Sequence, residues 1–98
     1  MSRVIRLEPE AREDALAARR FFEGCQVGLG LKFSRELFQS LDRIGDYPEM
    51  YGEVWPAVRA VGIRRFGYVI YYAIRPTEID IIAILHGSRD PGEWQRRI

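Results

Sequence analysis

One cysteine and one histidine are all that this chain of 98 residues holds of either type. Lysine is equally scarce, since Lys32 stands alone among 15 basic side chains and the rest are arginine. A lone Cys25 excludes an internal disulfide and suits a reducing compartment. One His, one Cys and scattered carboxylates make no ligand set of recognisable spacing, so no metal is expected. Gly28-Leu29-Gly30 falls between two predicted helices, not between a strand and a helix, and therefore reads as a turn and not a phosphate cradle. No cofactor is expected. Neither Cys25 nor Ser88 has the partners that would mark a nucleophile. Long apolar runs are also missing: nothing approaches the roughly 20 residues of a membrane span. The segment MSRVIRLEPE has no apolar core of signal-peptide length. These absences lead to the expectation of a cytoplasmic protein without membrane association.

What is present is the composition of a globular chain, 47% apolar and 30% charged, and its length predicts one domain over residues 1–98. A chain this short buries only about 60–65% of the surface that its unfolded form exposes, so core and site share few residues. Net charge is +1, but it is unevenly spread. Residues 1–56 hold 8 basic and 10 acidic side chains, residues 57–98 hold 7 and 4. An Arg-rich second half can pair with phosphate or carboxylate through planar forks, though GC-rich codon usage also raises Arg content.

Periodicity divides the chain in two. Arg3–Leu7 alternates weakly and predicts a strand. Glu8-Pro9 opens a helix with Pro at its first position and acidic residues near its positive end. Ala11, Ala15, Ala18 and Phe22 follow one face of it, and Gly24 is expected to end it. A turn over Cys25–Gly30 leads to a second helix, about Leu31 to Ile44, with a stripe of Phe33, Leu37, Leu41 and Ile44. Gly45 is expected to cap it in the left-handed conformation. Asp46–Pro56, broken by two prolines and a glycine, predicts a loop. The period then falls to 2, giving strands Ala57–Arg64, Phe66–Ile74 and Glu78–His86, the last two joined as a hairpin through Arg75-Pro76-Thr77. Within the last strand, Ile79, Ile81, Ala83 and Leu85 are expected on one face, with Asp80, Ile82, Ile84 and His86 on the other. Glu93–Ile98 forms at most one helical turn. The resulting order, βααβββ plus a short C-terminal helical turn, predicts an α+β fold with a helical hairpin packed on a small, mainly antiparallel sheet. One sheet face remains apolar and aromatic beyond that hairpin, and exposed surface of this kind marks a partner site.

Chemistry concentrates in the last third. His86 closes a strand and is the one standard group suited to proton transfer near neutral pH. Arg89 stands three positions on and could stabilise charge on phosphate. Equally, His86 could bond its own loop while Arg89 pairs with Asp90 or Glu93, and both readings stand. Arg59, Arg64 and Arg65 flank a strand beside Tyr68, Tyr71 and Tyr72, a combination of charge and rings that suits single-stranded nucleic acid or an acidic protein partner. Trp94, Arg96 and Arg97 end the chain; for Trp94 packing against the sheet is the more natural role.

Taken in order, these residues resemble a known pattern: Ala11 and Asp14, then G-L-G and Phe33, Pro48 and Tyr51, Arg59, R-F-x-Y-x-I-Y-Y over Arg65–Tyr72, and I-x-x-I-L-H-x-x-R-D-P-x-x-W-x-x-R over Ile81–Arg97. The chain resembles the RelE/ParE superfamily of toxins from bacterial type II toxin–antitoxin systems across about residues 4–97. The resemblance implies a growth inhibitor neutralised by, and assembled with, a cognate antitoxin. RelE-like members cut mRNA at the ribosome without metal, whereas ParE-like members poison DNA gyrase. The ribonuclease reading implies His86 as acid or base, with Arg59, Arg65 and Arg89 stabilising phosphate. Tyr68 or Trp94 would then stack on the substrate. The chain departs from RelE by having Tyr68 where RelE has a mid-strand Arg, and Trp94 where it has a tail Tyr. The H-x-x-R-D-P ending is closer to ParE-type sequences. That implies a binding toxin whose basic surface, Tyr72 and the tail with Arg96 and Arg97 contact the target.

Overall fold

The computed structural model describes residues 3–98. The elements run β1 (Val4–Leu7), α1 (Pro9–Cys25), α2 (Leu29–Asp46), β2 (Glu53–Trp55), β3 (Val58–Ile63), β4 (Tyr68–Ile74), β5 (Glu78–His86) and α3 (Gly92–Gln95). The five strands form one sheet in the order β1-β5-β4-β3-β2, antiparallel except where β1 runs parallel to β5. Two long helices lie on one face of this sheet, the α+β arrangement that the periodicity predicts.

The hairpin forms where small residues allow it. Ala11 and Ala18 are wholly buried on α1. On α2, a Cβ added at Gly30 would come within 2.8 Å of the Arg19 carbonyl oxygen, so glycine sets the closeness of the two axes. The connection is shorter than expected. Gly28, at φ 89°, is the N-cap of α2 and has no side chain to cap with. Glu23 supplies the missing acceptor, its carboxylate taking the N–H groups of Gly28 and Gly30 at 3.0–3.1 Å. Gly24 therefore lies inside α1. Gly45 likewise lies inside α2, which continues to Asp46, and Gly45 is not left-handed. It is buried against Ile5 of β1, where an added Cβ would make ordinary van der Waals contact.

The main core lies between hairpin and sheet. Phe33, Leu37, Leu41 and Ile44 of α2 meet Ile63, Ile70, Tyr72, Ile79, Ile81 and Ile84. Removing a ring such as Phe33 from such a core costs about 3–5 kcal/mol. A second cluster forms on the opposite face from Val58, Tyr71, Ala73, Ile82, Ala83, Leu85 and Trp94.

Two features of the sheet depart from the sequence reading. A short edge strand, Glu53–Trp55, lies within the expected loop and pairs with β3 at Glu53↔Arg59 and Trp55↔Val58. Its flanking proline and glycine hide three residues of strand. More consequential is a bulge in β5: Tyr71 faces Ala83 while Tyr72 faces Ile81, leaving Ile82 as an extra residue. One added residue reverses which face follows. Ile79 and Ile81 point to the hairpin, but Ala83 and Leu85 point away, and Ile84 takes the hairpin side. His86 consequently emerges beside Tyr68 on the hairpin side of the sheet rim.

Candidate functional site

The end of the sheet where β5 leaves is built by two turns. Between β3 and β4, Arg65 (φ 75°) and Gly67 (φ 72°) both adopt the left-handed conformation. The Gly67 carbonyl accepts the Gly87 N–H at 2.8 Å, tying this turn to the exit of β5. A Cβ at Gly67 would come within 2.9 Å of His86 Nε2, so any side chain there would displace the imidazole. The His86 ring stands edge-on to Tyr68, centroids 5.6 Å apart. Its Nδ1 accepts the Ser88 N–H at 3.1 Å and lies 2.7 Å from Ser88 Oγ. An Nδ1 that accepts puts the neutral ring's proton on Nε2.

Arg89 follows in the same loop, and its guanidinium grips Glu93 in a fork at 2.5 and 3.1 Å. This contact raises the Arg89 pKa and lowers that of Glu93. Of the two partners open to it, Asp90 or Glu93, Arg89 takes the second, one helical turn on. The Asp90 carboxylate instead accepts the Gly92 N–H at 2.9 Å and helps to start α3.

Arg59 is not part of this end. It pairs with Tyr72 in the sheet, whereas His86 pairs with Tyr68. Four residues of strand rise and two strand spacings separate Arg59 from His86 by roughly 16 Å. Its guanidinium donates to the carbonyls of Tyr51 (2.6 Å) and Glu49 (3.2 Å), holding the loop after α2. Tyr72 serves the same loop, its hydroxyl donating to the Pro48 carbonyl at 2.6 Å. The Tyr72 ring is fully buried, which pushes its pKa up to about 12. Tyr72, expected at the target, and Arg59, expected at phosphate, are thus both engaged with carbonyls of this loop, which has no secondary structure of its own and draws on both side chains. Arg97 is likewise internal, in a forked ion pair with Asp14. Arg65 and Arg96 are exposed, and Tyr68 is half-buried among Phe22, Phe33 and His86.

The opposite sheet face carries a feature that the sequence only partly signals. Trp94 of α3 folds under the sheet and stacks on Tyr71, centroids 4.6 Å apart and planes 18° from parallel. Trp55 of β2 meets Trp94 edge-on at 6.1 Å and stays 44% exposed. Together with Val69, Ala60 and Arg89 these rings line an open groove along the far face. Burial raises the Tyr71 pKa, so its hydroxyl is a neutral donor over the physiological range. Trp55 escaped the sequence reading because its strand did; the V-W pair before Pro56 is the only signal for it. Among the described residues, no group of three or more His, Cys, Asp or Glu side chains is placed to hold a metal. Nor is any described helix long and apolar enough to cross a membrane.

Residues 5–91 match the family model described as the ParE toxin of the type II toxin–antitoxin system parDE. The chain is also similar in structure to the solved "Chromosomal ParDE TA system from P. aeruginosa". That similarity has a TM-score of 0.74 at 17% identity, over 87% of this chain and 96% of that one. No curated protein matches the chain.

Proposed function

The chain belongs to the ParE toxin family of type II toxin–antitoxin systems, and from that membership we propose that it stops growth by interfering with DNA gyrase. The observation that carries this reading is the separation of the expected catalytic residues. His86, Arg65 and Arg89 share one end of the sheet, while Arg59 is engaged elsewhere with backbone carbonyls. His86 has Ser88 at Nδ1 and, among the described residues, no carboxylate bonded to it. Cleavage of RNA by in-line attack needs a base, an acid and cations converging on one phosphate. A groove of Trp55, Tyr71 and Trp94 beside Arg89 has instead the make-up of a protein-docking site, in which tryptophan, tyrosine and arginine dominate the binding energy. On this reading the far-face groove and the exposed Arg96 contact gyrase. A cognate antitoxin polypeptide silences the toxin by covering that groove, so the two assemble as a hetero-oligomer.

Induced expression in a bacterium, following DNA damage and mRNA integrity together, tests the reading. The expected result is a DNA-damage response with intact mRNA, and inhibition of supercoiling by purified gyrase on addition of the protein. Rapid mRNA cleavage at the ribosome, abolished by His86→Ala, would instead establish a metal-independent endoribonuclease.

A further inference from the structure

A second groove lies on the other side of the molecule, between the first half of α2 and the β3–β4 turn. It measures about 470 Å³, has Phe22 and Phe66 in its lining with Leu29 beside them, and carries Lys32, Arg35 and Arg65. The rings belong to a tight cluster: Phe22 stacks on Phe33 at 5.3 Å and meets Phe66 edge-on at 4.8 Å. The apolar wall is therefore preformed and rigid. None of the three cations makes an ion pair among the described residues. Elsewhere this protein pairs its arginines readily, as Arg6, Arg59, Arg75, Arg89 and Arg97 show. Arg65 is moreover held with φ at 75°, a conformation that side chains rarely adopt. Alongside the groove, Leu31 (46% exposed), Arg35 and Phe38 (62% exposed) recur at helical spacing along the solvent side of α2.

We propose that this surface binds an acidic segment of a partner polypeptide, which sets an aliphatic or aromatic side chain against Phe22 and Phe66 while its carboxylates meet Lys32, Arg35 and Arg65. Unpaired positive charge around an apolar wall is complementary to that chemistry and to few others. The groove already follows α2 from Leu29 to Gln39, roughly 15 Å of helix, and the strip from Leu31 to Phe38 widens it. That length fits a peptide better than a small anion. Nucleic acid is less well matched, because the rings already pack on one another and the Glu36 carboxylate also lines the groove. The inference concerns a different face from the Trp55–Trp94 groove and stands whether gyrase or the ribosome is the target.

The test is fluorescence anisotropy of the full chain with a labelled peptide of about sixteen residues, Leu and Phe at helical spacing and Glu at the other positions. Saturable binding that weakens about tenfold in Lys32→Glu/Arg35→Glu, and also weakens at high salt, is expected. Arg12→Glu, on an exposed part of α1 outside the groove, is expected to leave binding unchanged. Circular dichroism shows whether the exposed-site variants stay folded. Failure of the peptide to bind saturably would overturn the proposal, as would binding indifferent to the Lys32/Arg35 variant. Tighter, Lys32/Arg35-dependent binding of a single-stranded RNA of similar length would overturn it in favour of a nucleic-acid site.

Discussion

The Asp14 carboxylate and the Arg97 guanidinium, 83 residues apart in sequence, meet in a forked ion pair at 2.6 and 3.1 Å. Both also serve the same stretch of strand. Asp14 Oδ2 accepts the Ile84 N–H at 3.0 Å, and Arg97 donates to the Ile82 carbonyl at 3.2 Å. β1 stops opposite Ile81, so the β5 backbone beyond it has no neighbouring strand on that side. One side chain from α1 and one from the tail stand in for the absent strand, meeting the demand that buried backbone groups be paired. The hydrogen bond to Asp14 also raises the Arg97 pKa.

Removing Arg97 leaves the Asp14 charge and the Ile82 carbonyl uncompensated, whereas removing Asp14 leaves the Ile84 N–H without its acceptor and Arg97 with Glu10 alone, at 3.3 Å. Asp14→Ala is expected to lower unfolding free energy by about 2–4 kcal/mol, and Arg97→Ala by about 1–3 kcal/mol. The double variant is expected to lose at least about 1 kcal/mol less than the sum. Urea denaturation of the four proteins measures this coupling; additive losses would show the pair to be incidental.

Tyr72 makes a pH-dependent prediction. Burial raises its pKa to about 12 from an ordinary value of 10.0. A phenol whose folded pKa lies above its unfolded one contributes stability in full below the unfolded value, and loses it as pH climbs through the folded one. Stability is therefore expected to fall between about pH 10 and 12, by on the order of 2 kcal/mol from this group. In Tyr72→Phe the alkaline loss attributable to this ring disappears, together with the hydroxyl's bond to Pro48, a net cost of about 1 kcal/mol at neutral pH. Thermal melts at stepped alkaline pH, with tyrosinate absorbance followed in parallel, would reveal a wild type and variant with identical profiles if the assignment is wrong.

Gly67 carries two separable constraints, its φ of 72° and the His86 ring 2.9 Å from any added Cβ. Gly67→Ala is expected to cost about 1–3 kcal/mol. Adding His86→Ala removes the steric part and leaves the backbone part, so the double variant is expected to recover some stability but not all. Full recovery would assign the cost to the clash alone, and no recovery to the backbone alone.

The helical hairpin was legible because its stripes, Ala11 to Ala18 and Phe33 to Ile44, repeat cleanly at 3.6 residues. The hairpin of β4 and β5 was legible from its alternation. What stayed hidden is what one residue can change without altering composition. The bulge at Ile82 leaves an unbroken apolar run, so nothing in I-I-A-I-L says where the faces exchange, yet it decides on which side His86 emerges. The internal use of Arg59 and Tyr72 was hidden for another reason: the carbonyls that they hold, at Pro48, Glu49 and Tyr51, belong to backbone that any sequence would offer. Trp94 was the opposite case, its packing against the sheet being visible from its apolar size.

The far-face groove and the His86 rim can be told apart by which substitutions abolish growth inhibition. Arg89 is an exposed side chain whose ion pair with Glu93 is screened by water, so Arg89→Glu should leave the melting temperature essentially unchanged. Trp55 is partly exposed on an edge strand and can be shortened with little loss of core. If docking through the groove is what inhibits growth, Trp55→Ala and Arg89→Glu each reduce inhibition by about tenfold or more at equal protein level. His86→Ala then retains it. A general acid or base, by contrast, contributes about 100- to 10,000-fold to a chemical step, so its loss from an enzyme would be unmistakable. A colony-forming assay across an inducer series, with each variant's abundance measured, reads this directly. Retained inhibition in both groove variants with loss in His86→Ala would move the active surface to the rim.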